Sequence, residues 1–171
     1  MQLVKDGKIT GDAFLRVADD AEIPSEGAVL VAAARFLENA EALLQRHGPT
    51  GVIWPNNRDV DDLVPYLGRL AVVALVFPTF RDGRAYSQAR LLRERHGFRG
   101  ELRATGQVLR DQFMFMLRAG FNAFEVKKDE DAAAFVATVQ RYSVFYQPTG
   151  DGHVTALNRR LQLRHSESAS L

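Results

Sequence analysis

Five short apolar segments, starting near residues 28, 51, 71, 100 and 121, are each followed by a stretch with helical spacing, which in the first four ends at a glycine stop. That alternation constrains the fold more than anything else in the chain. Repeated βα units joined by right-handed crossovers build a mainly parallel sheet. The segment Leu70 to Phe77 is the most telling of the five. It is a nearly continuous apolar run, as expected of a strand covered on both faces.

The pattern predicts strands over 28–32, 51–54, 70–77, 100–105 and 121–126. The predicted helices are 36–47, 59–67, 84–96, 106–119 and 129–140, the second of them weakened by Pro65. The fold class is therefore α/β, with a mainly parallel sheet of repeated βα units. Two arrangements satisfy it: an open doubly wound sheet, the first choice, and a partial, barrel-like arc, the second. With 171 residues the chain is too short for a complete eight-fold barrel.

Residues 1–26 read as a small β extension and linker. Leu3-Val4 and Ile9 flank Asp6-Gly7, a good hairpin turn pair, and Phe14 to Val17 adds an extended piece. This part is expected to cover an edge of the main domain, which spans 27–148. Within that domain, Tyr142 to Tyr146 reads as an edge strand or a strap. Residues 149–171 are polar and expected to be flexible.

Composition limits the chemistry. There are no cysteines, so disulfides, thiolate catalysis and cysteine-ligated metals are excluded within the chain. A net charge of +1 gives no global attraction to nucleic acid or to an anionic membrane. No apolar run is long enough to span a bilayer, and the start lacks signal-peptide character, so the expected compartment is the cytoplasm. The four histidines show no metal-ligand spacing. No phosphate-binding, dinucleotide-binding or nucleophile-elbow motif is present, and no cofactor is evident. The sequence leaves the oligomeric state open.

The candidate site lies where the chain leaves its apolar strands. The turn Pro78-Thr-Phe-Arg-Asp-Gly-Arg84 opens a helix, with Tyr86 and Ser87 behind it. Free N–H groups there, with Arg81 and Arg84, suit an anion. Equally, Asp82 can act as a helix cap while the arginines are solvated or pair with Glu94 and Glu101. Glu101, Arg103 and Thr105 alternate, so they share one face of a strand, opposite Leu102 and Ala104. They form either a structural ion network or a ligand site. Arg110 and Asp111 follow in the first turns of the next helix. The run Phe113-Met-Phe-Met-Leu117 reads as core before interface.

The motif Phe77-Pro78-x-Phe80-x-Asp82-Gly83-Arg84-x-Tyr86-Ser87-x-Ala89-x-Leu91-Leu92-Arg93 leads into Gly100-Glu101-Leu102-Arg103-Ala104-x-Gly106-x-Val108-x-Arg110-Asp111. With Gly120-Phe121-x-Ala123-Phe124-Glu125, it resembles the bacterial family catalogued as domain of unknown function number 934. The resemblance spans roughly Ala28 to Tyr146, with Ala85 where a second glycine is common. Members are typically encoded beside the sulfite or nitrite reductase haemoprotein and carry the label of oxidoreductases in sulfite reduction. The resemblance thus implies a role in assimilatory sulfur metabolism, without a mechanism. It carries over Asp82, Arg84, Tyr86, Ser87, Glu101, Arg103, Arg110 and Asp111 as motif residues. Three readings follow. The first is an accessory protein that binds the sulfite reductase haemoprotein or its electron donor. The second is an enzyme acting on a small anion through Arg81, Arg84, Arg103 and Arg110. The third is an oxidoreductase with a bound cofactor.

Overall fold

The computed structural model describes residues 2–141, 144–149 and 154–161. Eight strands form one sheet in the order β2-β1-β8-β7-β6-β5-β4-β3. Their ranges are β1 Gln2–Lys5, β2 Lys8–Thr10, β3 Leu15–Arg16, β4 Val29–Ala32, β5 Thr50–Trp54, β6 Val72–Phe77, β7 Glu101–Gly106 and β8 Ala123–Val126. From β3 to β8 every pairing is parallel and each strand neighbours the next in sequence. β1 pairs antiparallel with both β8 and β2.

This order decides between the two expected arrangements. A doubly wound sheet needs a point where the strand order reverses. Here the parallel strands advance one way throughout, so right-handed crossovers place all the helices on one face. The sheet must also curl. Thr10 ends β2 at one edge and Leu15 begins β3 at the other. Five residue steps reach at most about 18 Å, whereas seven spacings of a flat sheet would separate the edges by about 34 Å. The result is a curled half-barrel, and residues 11–14 cross its open side as a strap. The N-terminal extension thus covers both edges of the parallel sheet, β8 with β1 and β4 with β3.

The helices pack outside. They include α1 Ala33–Glu38, α2 Ala40–Leu44, α3 Arg84–Arg90 with a π-helical turn Leu91–Arg95, α4 Phe113–Ala119 and α5 Asp129–Arg141. One large cluster joins their buried faces to Val31, Val52, Trp54, Leu75, Phe77, Leu102 and Phe124 of the strands. Trp54 is fully buried packing, with its indole N–H donating to the Arg58 carbonyl. A smaller apolar cluster, Leu30, Val72 and Ala74 with Phe14 and Ile53, lies on the inner face.

Several helix bounds differ from the periodicity. The first helix begins directly after β4 and breaks at Asn39, whose backbone leaves the helical region. The segment Val60–Tyr66 winds as a 3-10 helix with Pro65 inside it, not as the expected α-helix. The helix expected from residue 106 begins at the short 3-10 turn Arg110–Gln112. Residues 107–109 are instead used to reach the neighbouring loop. In the run Phe113 to Leu117, Phe113 and Met116 are core and Phe115 faces solvent. Past α5, Tyr142 and residue 143 of the expected strap lie outside the described residues. Phe145 makes a parallel bridge to Thr155, and 156–161 is helical. Residues 162–171 of the expected tail lie outside the described residues.

Candidate functional site

The structure divides the charged motif into two groups that the sequence runs together. The first lies inside the half-barrel. Strand β7 points Glu101, Arg103 and Thr105 to the inner face, while Leu102 and Ala104 join the outer core. Arg103 is completely buried. Its guanidinium meets Asp12 of the strap (2.6 and 3.0 Å), Glu101 (2.7 Å) and Glu125 of β8 (3.3 Å). Phe14 lies under the same guanidinium. Arg16 of β3 donates to both Glu125 oxygens (2.8 and 2.9 Å), the Thr105 hydroxyl donates to Glu125 (2.5 Å), and Lys5 of β1 pairs with Glu101 (2.9 Å).

Three carboxylates therefore face three cations. Burial disfavours the charged form of Arg103, but hydrogen bonds and charge from Asp12 and Glu101 outweigh it and hold the guanidinium protonated. Burial likewise opposes ionisation of Asp12, and its bonds to Arg103 and the Phe14 N–H reverse that and lower its pKa. The cavity beside this network, at Gln2, Asp12, Arg16 and Glu125, holds about 90 Å³. Small-molecule sites usually need roughly 300 Å³ or more. What the network does well is tie the strap and both sheet edges to the middle of the sheet.

The second group sits at the C-terminal ends of the strands, the end where complete (β/α)8 barrels carry their active sites. Asp82, just before α3, accepts from the Arg84 backbone N–H (3.3 Å), Nε (3.0 Å) and Nη2 (2.7 Å). The Arg84 guanidinium drives the Asp82 pKa far below the usual carboxylate range. Asn56, at the exit of β5, is buried beside it; its side-chain nitrogen meets no partner in hydrogen-bond geometry, and the carboxylate it approaches is Asp82. Arg84 thus pairs within its own turn. Glu94 pairs with Arg90, and Glu101 with Arg103 and Lys5. Ser87 is exposed on α3.

The exits of β6 and β7 are locked together. Gly106 has φ +92°, and a Cβ there would come 2.4 Å from the Phe77 carbonyl oxygen, so only glycine lets the two strands part at this spacing. The Gln107 N–H then donates to that carbonyl (2.8 Å). The Gln107 side-chain oxygen accepts from the Phe80 N–H (2.9 Å), and the Gln112 side-chain nitrogen donates to the Phe80 carbonyl (2.9 Å). One residue's backbone is held on both sides by two amides from the next loop.

Tyr86 and Asp111 come together elsewhere, in a groove of about 910 Å³ between α3 and α4, where Phe115 and Tyr146 also contribute. Burial, then the Asp111 charge, raise the Tyr86 hydroxyl pKa and keep it neutral. Arg110 is exposed on the rim.

Sequence reading missed members of both groups. Glu125 carried the same signal as Glu101, a charge inside an apolar strand. Asp12, Arg16 and Lys5 gave none, because their partners are about ninety or more residues away in sequence. Gln88 is buried in α3 and donates to the Pro55 and Arg58 carbonyls (3.1 and 2.8 Å), fixing the β5 exit. Arg93 holds the Phe98, Gly100 and Gly120 carbonyls and the Asn122 side chain at the opposite end of the sheet.

These features define a helix-backed, mostly parallel half-barrel whose interior is closed by an N-terminal strap and a neutral ion network. Over residues 51–157 the chain matches the family described as bacterial protein of unknown function (DUF934), and it belongs to that family. The match runs from β5 onward and includes Glu101, Arg103 and Glu125 but not their strap and β1 partners. None of the curated proteins matches the chain. Among the described residues no helix is long and apolar enough to cross a membrane.

Proposed function

We propose that this protein is an accessory of assimilatory sulfite reduction, a binding module for the sulfite reductase haemoprotein or its electron donor. The context comes from the family resemblance set out above. The observation that carries the binding reading is the state of Arg103. The charged groups best placed for interior chemistry, Arg103, Glu101 and Glu125, are buried, and their charges are neutralised within the chain, with the half-exposed Asp12, Arg16 and Lys5 completing the balance. An anion entering there would have to displace three carboxylates. Arg84 is similarly committed to Asp82. The small-anion reading is left with Arg81 and Arg110, which stand on the exposed rim. Charges left over for a ligand therefore face outward, as in a protein that contacts another protein.

Titration calorimetry of the full chain against purified sulfite reductase haemoprotein tests this. Saturable binding with a Kd at or below roughly 10 µM at low salt is expected. Absence of binding to the haemoprotein and to its electron-donating partner overturns the proposal. A shift of the thermal midpoint by sulfite or sulfate in place of such binding moves the assignment to the small-anion enzyme.

A further inference from the structure

We propose that Phe80, flanked in charge by Arg81 and Arg110, is the anchor through which this protein docks into an apolar pocket edged by carboxylates on a partner protein. The inference deepens the accessory reading and rests on it, since it presumes a protein partner.

The argument begins with how Phe80 is held. The residue is 46% exposed at a loop tip, which alone means little, because single exposed apolar residues are common. Its backbone is unusual. A loop-tip N–H and C=O would ordinarily be served by water. Here they take the side-chain amides of Gln107 and Gln112, five residues apart on the neighbouring loop. Those loops are themselves joined at Gly106 and Phe77. Fixing an exposed aromatic residue in advance removes an ordering cost that association would otherwise bear. Aromatic and arginine residues in such rigid positions dominate interface energetics.

The surroundings set the partner's chemistry. The Arg81 guanidinium stacks on the Phe80 ring at 5.4 Å. Arg110 and Leu109, the latter 38% exposed, belong to the turn that grips Phe80. The nearby acids are committed or turned away: Asp82 is bound to Arg84, and Asp111 lines the groove with Tyr86. Among the described residues neither Arg81 nor Arg110 has a carboxylate partner. The rim is thus an apolar centre with two uncompensated cations, and its complement is an apolar pocket bordered by Asp or Glu.

Two measurements test this together. Affinity for the sulfite reductase haemoprotein is measured by calorimetry for the wild type, Phe80→Ala, the pair Arg81→Glu with Arg110→Glu, and a control, Glu41→Ala, on α2. Independently, Phe80→p-benzoylphenylalanine is photo-crosslinked in the source bacterium and the adduct mapped by mass spectrometry. The expected result is a loss of at least about 30-fold for Phe80→Ala and for the charge pair, with the control unchanged. The expected adduct maps to a surface rich in Asp or Glu and disappears when the two arginines are reversed. Wild-type binding that Phe80→Ala leaves intact overturns the inference and leaves the accessory reading standing. A charge-dependent adduct on another acidic protein, with no haemoprotein binding, supports the inference and overturns the haemoprotein assignment. No adduct, an adduct to a second copy of this chain, or one that survives charge reversal overturns the inference. Circular dichroism verifies that the variants fold, as expected for changes at exposed positions.

Discussion

The Arg16 Nη2 group donates to both carboxylate oxygens of Glu125, at 2.8 and 2.9 Å, although β3 and β8 stand at opposite ends of six parallel strands. Residues five strand positions apart meet only when the sheet curls until its inner faces approach. The contact is therefore both a product of the curvature and a lock on it. It also explains why Arg103, on β7 under the strap, is out of reach of solvent.

Removing one member of that network leaves uncompensated buried charge. Arg103→Ala is expected to lower the unfolding free energy by about 3–5 kcal/mol, read from urea denaturation. Replacing Arg103, Glu101 and Glu125 together with apolar residues of similar volume is expected to recover most of that loss, because no buried charge remains. Equal instability of the single and triple variants would show that the network matters through its hydrogen bonds rather than its charge balance.

The strap should weaken in acid. Asp12 has a folded-state pKa below its ordinary value of about 3.9. A depressed carboxylate contributes stability that is present above the unfolded pKa and lost as pH falls through the folded one. Asp12→Asn is thus expected to be less stable than the wild type at pH 7, with the gap closing below about pH 4. Denaturation curves of both proteins at pH 7 and pH 3 check it.

Arg93 satisfies three backbone carbonyls and one side-chain amide. Arg93→Ala is expected to cost more than about 3 kcal/mol, since several partly buried acceptors lose their donor together. Arg93→Lys is expected to rescue little, because one ammonium cannot reproduce the fork geometry. Thermal midpoints of the two variants give the comparison.

The clamp on Phe80 is separable from stability. Gln107→Ala with Gln112→Ala is expected to change unfolding free energy by less than about 1.5 kcal/mol, since Gln107 is exposed and Gln112 only partly buried. Hydrogen exchange of the Phe80 amide should accelerate, because its acceptor is gone. Gly106→Ala is expected to be worse on both counts, as its Cβ meets the Phe77 carbonyl at a positive φ.

The alternation of apolar strands, helices and glycines determined by itself that this chain is an α/β protein with a mainly parallel sheet. It also put Glu101, Arg103 and Thr105 on one strand face, because a period of two is local geometry. It ranked a doubly wound sheet ahead of the arc, and the strand order corrects that ranking. Strand order is decided by which helix faces pack together, not by any one segment. The roles of the motif residues were hidden for the same reason. Asp82 and Arg84 are two residues apart, and their pairing lay within reach of sequence reasoning. Arg103 finds Asp12 across 91 positions, and Arg16 finds Glu125 across 109. Only the curl of the sheet brings those groups within 3 Å, and only that proximity separates an internally paired network centred on the buried Arg103 from the exposed Phe80 rim.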